Sequence, residues 1–197
     1  MTGKRETKKR AVRKALYEAA IQLFEAQGYD GVSVDQIVAV AGVAKGTFFN
    51  HFPSKADILA DWYRAVMQDG LDQTPDEPAA LPDQWLALVR RILAYAAASP
   101  RLWSAKTEQA AVTASIQQVE RDMDAALLAR LRKLAEAAAA AGRFDRPVDA
   151  GELADLGLTL MTGTIREAQV TGLGATLDAR LATRIRTLCR IAGYKGA

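Results

Sequence analysis

Between Ser33 and Phe52 the chain spells two helices, each too short to persist alone, joined by Ala41-Gly42-Val43. Isolated helices below about 12–15 residues are marginal in water, so segments like these must be held by packing against something else. Ser33 is a good N-cap, and its spacing to Gln36 is that of a capping box, in which each side chain serves one of the other's orphan backbone donors. Asp35 sits in the first turn, where the helix dipole favours a negative charge. Ile37, Val38 and Ala41 give about two turns of inward face, and Gly42 suits the left-handed residue that closes a short helix. The second helix is predicted over Lys45 to Phe49. Phe48 and Phe52, four residues apart, are its inward anchors, leaving Lys45, Gly46, Thr47, Phe49, Asn50 and His51 to point outward. Glycine in a helix costs about 1 kcal/mol against alanine, so Gly46 makes sense where another surface must come close to the backbone. The pattern is a helix-turn-helix, and its first implication is recognition of double-stranded DNA.

Charge points the same way. Up to Arg64 there are ten Lys and Arg against seven Asp and Glu, while from Ala65 onward there are sixteen of each, so the whole excess lies in the first third. Lys4, Arg5, Lys8, Lys9, Arg10, Arg13 and Lys14 stand against one acid, Glu6, and read as a basic arm able to neutralise phosphates and enter a minor groove.

Gly28-Tyr29-Asp30-Gly31-Val32-Ser33-Val34, Ile37, Ala41-Gly42-Val43, Lys45-Gly46-Thr47-Phe48, His51-Phe52 and Ser54-Lys55 together resemble the N-terminal domain of the TetR family of transcriptional regulators. The resemblance covers roughly residues 8 to 60. It implies an all-α chain: a DNA-binding domain over residues 1–53 and a helical effector-binding and dimerisation domain over 54–197, about nine helices in total. Three residues depart from the family's habit: Val38 for alanine, Ala44 for a capping serine, and Phe49 for a tyrosine whose hydroxyl could meet a phosphate. The implied mechanism is a homodimeric repressor on a (pseudo)palindromic operator, released by an unknown small-molecule effector. Lys45, Gly46, Thr47, Phe49 and Asn50 would face the major groove, while Ser33, His51, Lys55 and the basic arm would hold phosphates.

The remaining sequence reads as helices throughout: Thr7 to Gln27, one beginning at Ser54, one through Trp85 and Tyr95, a short one from Pro100 through Trp103, then Val112 to Ala141, Asp149 to Thr171 and Thr176 to Ala192. Gly70 to Asp83, with three prolines and four acids, is predicted as a loop, and Gly172-Leu173-Gly174 as the break before the last helix. In the last pair, Leu153, Leu156, Leu160 and Met161 mark one helix, with small residues Gly157, Gly163, Thr164 and Ala168 nearby. Leu177, Leu181, Ile185, Leu188 and Ala192 mark the other. Such stripes suit a core or a two-fold interface alike, and the family resemblance implies dimerisation here. An effector cavity would draw on Trp62, Met67, Trp85, Tyr95, Trp103, Met123 and Met161, the aromatic and methionine residues at helical spacing.

Enzymatic readings find little footing. His51 is the only histidine, there is no Cys-x-x-Cys and no P-loop, and Gly172-x-Gly174 lacks a third glycine and a preceding strand. No metal or cofactor is expected. The single cysteine, Cys189, reads as a small apolar filler, with a redox sensor as its alternative. There is no apolar run of eighteen residues and no signal-peptide pattern, so a cytoplasmic protein without a membrane span is expected. The competing function class is a helical protein-interaction adaptor.

Overall fold

The computed structural model describes residues 2–72, 80–171 and 174–196. Among them are nine α-helices: α1 (Thr2–Gln27), α2 (Val34–Ala41), α3 (Lys45–Phe49), α4 (Lys55–Asp72), α5 (Leu81–Ala98), α6 (Pro100–Ala110), α7 (Ala114–Ala140), α8 (Ala150–Thr171) and α9 (Leu177–Ile191), with a 3-10 turn at Gly174–Thr176. The only β-type pairing described is a single bridge, Phe144 to Tyr194. The all-α reading therefore holds. No described helix is long and apolar enough to cross a membrane.

Several ends differ from expectation. α1 starts at Thr2 rather than Thr7, so the basic stretch is not an extended arm but the first turns of a helix. Lys, Arg and Glu are good helix formers and no proline interrupts them; Thr7 also donates its hydroxyl back to the Gly3 carbonyl at 2.8 Å. The predicted loop from Gly70 to Asp83 is narrower, because Gly70 to Asp72 continue α4 and Leu81 to Asp83 begin α5; residues 73–79 lie outside the described residues. Of the Gly172-Leu173-Gly174 break, only Gly174 is described, at the start of the 3-10 turn. α6 runs past Trp103 to Ala110, and Ser99, though at its N-cap position, makes no side-chain cap. Pro100 at the first position, where no N–H is needed, starts this helix instead.

The chain forms two compact units. The first comprises residues 1–66 and 95–120, the second 67–94 and 121–197, so the division falls within α4, α5 and α7. In the first unit, α1 buries Leu16, Ala19, Ala20 and Phe24. Gly28 ends α1 with a φ of 80°, and its N–H donates to the Phe24 carbonyl. The last carbonyls of α1 are also served from α6, where Arg101 donates to Glu25 at 2.7 Å and Ala26 at 2.9 Å.

In the second unit, α8 turns Leu153, Ala154, Gly157, Met161, Thr164 and Ala168 inward, and α9 turns in Leu181, Ala182, Ile185 and Cys189. The two helices pack on each other. Gly157 has an internal reason: a Cβ there would lie 2.3 Å from Cζ3 of the buried Trp85. Leu181 and Ile185 are fully buried within the single chain, so these two members of the last-helix stripe serve its core, while Leu156 on α8 stays 49% exposed. The end of the chain is clasped to the α7–α8 connection. Asp145 N–H donates to the Gly193 carbonyl, Lys195 N–H donates to the Arg143 carbonyl, and the Tyr194 hydroxyl accepts from Leu81 N–H at 3.0 Å. Cys189 is fully buried and its thiol is pushed up to about 12 by burial, which leaves almost no thiolate at neutral pH.

Two outcomes follow from this packing. Gly157→Ala should destabilise the chain by about 1–3 kcal/mol in urea unfolding, the usual range for overpacking a core. Unchanged stability would mean that Trp85 moves aside at no cost. Cys189 should resist a thiol reagent in the native protein and react only once unfolded; rapid labelling of folded chain would contradict its burial.

Candidate nucleic-acid interface

The capping box forms as the spacing requires. Ser33 Oγ accepts from Gln36 N–H at 3.2 Å, and Gln36 Oε1 accepts from Ser33 N–H at 2.7 Å. Gly42 closes α2 with φ 66°, and the following Val43 N–H donates to the Val38 carbonyl at 3.1 Å. Ile37 and Val38 are buried. Ala44 stands at the N-cap of α3 with no side-chain cap, so the departure from a capping serine leaves that position without substitute. Phe48 and Phe52 are completely buried, their ring centroids 5.9 Å apart. With α3 fixed by these two rings, Lys45, Gly46, Phe49 and Asn50 are exposed, and Thr47 and His51 are half-buried. Phe49, 51% exposed, meets Phe48 edge-on and presents a bare ring to solvent.

Arg13 of α1, counted only among basic residues in the sequence, is the clamp of this region. Its guanidinium donates to the His51 carbonyl and to the Asp61 carboxylate on α4, and lies 4.1 Å over the Phe52 ring. One side chain thus ties α1, the end of α3 and α4 together. Its isolation at the edge of the apolar pattern gave no local signal, because its partners are 38 and 48 residues away.

Lys55 also takes a role that sequence did not reveal. Its ammonium donates to the Tyr29 carbonyl at 2.8 Å and the Val32 carbonyl at 2.9 Å, and lies 4.1 Å over the Tyr29 ring. In the chain without DNA it braces the turn between α1 and α2. Burial lowers the pKa of Lys55, while burial and the nearby Asp30 and Asp57 push the Tyr29 phenol up to about 12. Just beside it, Ser54 Oγ and N–H both donate to Asp57, opening α4 as the spacing predicts.

Lys45 is paired with Asp35 across the turn, at 2.9 Å. Both side chains are more than half exposed, and such pairs contribute only about 0–1 kcal/mol, so the ammonium is readily released to a stronger anion. Gly46 is the informative residue. A Cβ there would meet nothing within 4 Å, so no internal contact requires a glycine in this helix.

Because the basic stretch is helical, it lines a groove with α3 instead of trailing away. The groove, about 640 Å³, has Arg5, Glu6, Lys8, Lys9 and Val12 on the α1 side and Thr47, Asn50 and His51 on the other. The His51 imidazole sits below its ordinary value of 6.5, from burial first and then from Arg13 and Lys9. It is therefore neutral at pH 7. Because the unfolded chain keeps the higher pKa, protonation favours unfolding, and stability rises as pH climbs from the folded value towards 6.5.

Of the seven residues suggested for an effector cavity, Trp62, Tyr95 and Trp103 fall in the first unit, and Met67, Trp85, Met123 and Met161 in the second. Trp62 and Trp103 pack edge-on, centroids 6.3 Å apart. Lys106, buried and ion-paired with Glu120, lies 4.1 Å over the Tyr63 ring and 5.7 Å over that of Trp103. In the second unit all four are buried, and among the described residues Trp85 Nε1 has no hydrogen-bond partner.

Residues 16–61 match the profile of bacterial regulatory proteins of the tetR family. The HTH-type transcriptional repressor DhaR of a Mycobacterium species is 35% identical over 91 residues, covering 44% of this chain and 42% of the relative. The uncharacterised HTH-type transcriptional regulator TtgW of Pseudomonas putida is 32% identical over 98 residues, 47% of this chain and 69% of the relative. With DhaR and the similar regulator TcmR of Streptomyces glaucescens, the match spans less than half the length of the relative. Among solved structures, Thermus thermophilus FadR, a TetR family transcriptional repressor in complex with lauroyl-CoA, shares the fold. Its TM-score is 0.67 at 18% identity, over 89% of this chain and 92% of that one.

Titrating the single imidazole by NMR should give a midpoint below 6.5 in the free protein. Arg13→Gln should raise it part of the way, burial being the larger cause; a midpoint above 6.5 would contradict this placement. Lys55→Ala should cost about 1–3 kcal/mol in chemical unfolding, the range for losing charged hydrogen bonds to carbonyls.

Proposed function

The chain belongs to the tetR family of bacterial regulatory proteins, and we propose that it is a cytoplasmic transcriptional repressor, binding a (pseudo)palindromic operator as a homodimer and leaving it when a small-molecule effector binds. Gly46 carries the reading: a helix glycine with open space above it in the free chain suits the close approach of a DNA backbone or base edge. Around it Lys45, Thr47, Phe49 and Asn50 face the major groove. Ser33, His51 and the α1 residues Arg5, Lys8 and Lys9 meet phosphates, with α1 giving a helical basic rail in place of an arm. Lys55 acts indirectly, by holding the α1–α2 turn.

The dimer is assigned to the outward faces of α8 and α9. Leu156, Leu160, Gly163, Glu167 and Val170 recur at steps of four, three, four and three, with Leu156 49% and Val170 80% exposed. Leu177, Arg184 and Ile191 repeat by seven on α9, Ile191 being 66% exposed. Such spacing is the seam of packed helices. Gly163 resembles Gly46, since a Cβ there meets nothing within 4 Å and a partner helix approaching closely would explain the glycine. A two-fold axis through this seam would present two α3 helices to one face of DNA, about 34–36 Å apart or a multiple of that.

For the effector we keep Met67, Trp85, Met123 and Met161. The orphan indole N–H of Trp85 costs about 1–3 kcal/mol while it lacks an acceptor, and an effector's oxygen would relieve that. Trp62 and Trp103, with Tyr63, already pack about one another and Lys106, which reads as structure. FadR, a repressor bound to lauroyl-CoA, is a precedent for effector binding in this fold, with no bearing on which effector this chain takes.

Selection from a randomised operator library tests the reading roles. Lys45→Ala should relax base preference at defined half-site positions by about 1–3 kcal/mol. The pair Lys8→Ala and Lys9→Ala should weaken all sequences alike and make the salt slope shallower by about two units. Indistinguishable profiles for the two variants would overturn the division of roles. Leu156→Asp with Val170→Asp should give monomers by analytical ultracentrifugation while retaining helicity; a persistent dimer would move the interface elsewhere.

A further inference from the structure

The clasp at the end of the chain walls a cleft in the second unit that neither the DNA reading nor the core around Trp85 uses. Its volume is about 330 Å³, at the small end of ligand sites. The floor is apolar: Leu81 and Leu134, both buried, with Ala137, Ala138 and Ala141 from the end of α7 and the residue after it. Tyr194 forms one wall, its ring edge-on to Phe144 and its hydroxyl occupied by Leu81 N–H. Lys133 and Arg143 also line the cleft.

We propose that this cleft binds a small organic monocarboxylate, with a compact hydrocarbon body on the alanine floor and its carboxylate between Lys133 and Arg143. The argument rests on charge first. Among the described residues neither cation has a side-chain hydrogen bond or an ion pair, in contrast to Arg90, Arg180, Arg184 and Arg186 of the same unit, which are all paired with acids. Both cations line the same cleft, so a bound anion there has two positive partners within it. A guanidinium offers two parallel donors that match a carboxylate. The competing field is the negative C-terminal end of α7, where part of the carbonyl set is already bonded. Ala138 and Ala139 accept from Arg143 and Gly142 N–H groups, and Gly142 accepts from the Lys195 ammonium at 3.1 Å. The floor then selects the body. Alanines at 137, 138 and 141 with Leu81 and Leu134 make the lining mostly apolar, which disfavours a free phosphate or other fully hydrated anion.

The test uses the full chain without DNA, so its outcome is separate from that of the repressor reading. Affinities of benzoate and hexanoate are compared by equilibrium dialysis with those of benzamide and hexanamide, their uncharged isosteres. The carboxylates should bind at least about tenfold more tightly than the amides. In the double variant Lys133→Gln, Arg143→Gln that difference should vanish, while Ala138→Leu should abolish binding of acid and amide alike. Melting by circular dichroism checks that each variant folds. Equal affinity for acid and amide overturns the charge assignment. Binding unchanged by Ala138→Leu places the ligand elsewhere, and displacement of benzoate by equimolar phosphate shows that the cations alone were responsible. No saturable carboxylate binding at millimolar concentration overturns the proposal outright.

Discussion

A helix of five residues has one or two hydrogen bonds of its own and no means of staying folded in water, so α3 exists through the burial of Phe48 and Phe52. Everything presented on its other face takes its position from those two rings. Arg13 then adds direction. By joining the His51 carbonyl, Asp61 and the Phe52 ring, it fixes where the end of α3 lies against α1 and α4. The capping box of α2 and the Lys55 brace hold the preceding turns in the same way, with polar contacts of modest individual worth acting on a backbone already committed by burial.

Local chemistry made much of this legible. The Ser33–Gln36 box, the left-handed Gly42, the Phe48–Phe52 anchors and the Ser54–Asp57 start of α4 are all decided within four residues, and sequence spacing finds them. The long-range features were out of reach. Arg13 and Lys55 each carry a charge that composition assigns to solvent or phosphate, yet their partners lie 23 to 48 residues distant. The helical basic stretch was missed for another reason. A run of like charge reads as a solvated tail, whereas lysine and arginine have high helix propensity and α1 continues through them without a breaker.

The last two helices show the limit of periodicity. Leu181 and Ile185 repeat by four, as interface residues would, but they are fully buried inside one chain. On α8, Leu156, Leu160, Gly163 and Val170 also recur at helical steps, yet Leu156, Gly163 and Val170 are exposed and Leu160 is half-buried. Only burial separates the two stripes. The glycines make the same point more sharply, since Gly157 answers to Trp85 within the chain while Gly46 and Gly163 answer to nothing in it.

Gly46→Ala is accordingly the most direct test of the central claim, because it adds one methyl group where the free protein has open space. The variant should fold as well as the native chain or up to about 1 kcal/mol better, as alanine favours a helix. Its affinity for a selected operator, measured by fluorescence anisotropy at fixed salt, should nonetheless fall by about tenfold or more. Operator binding equal to that of the native chain would contradict the account, since α3 would then not be the surface that approaches DNA.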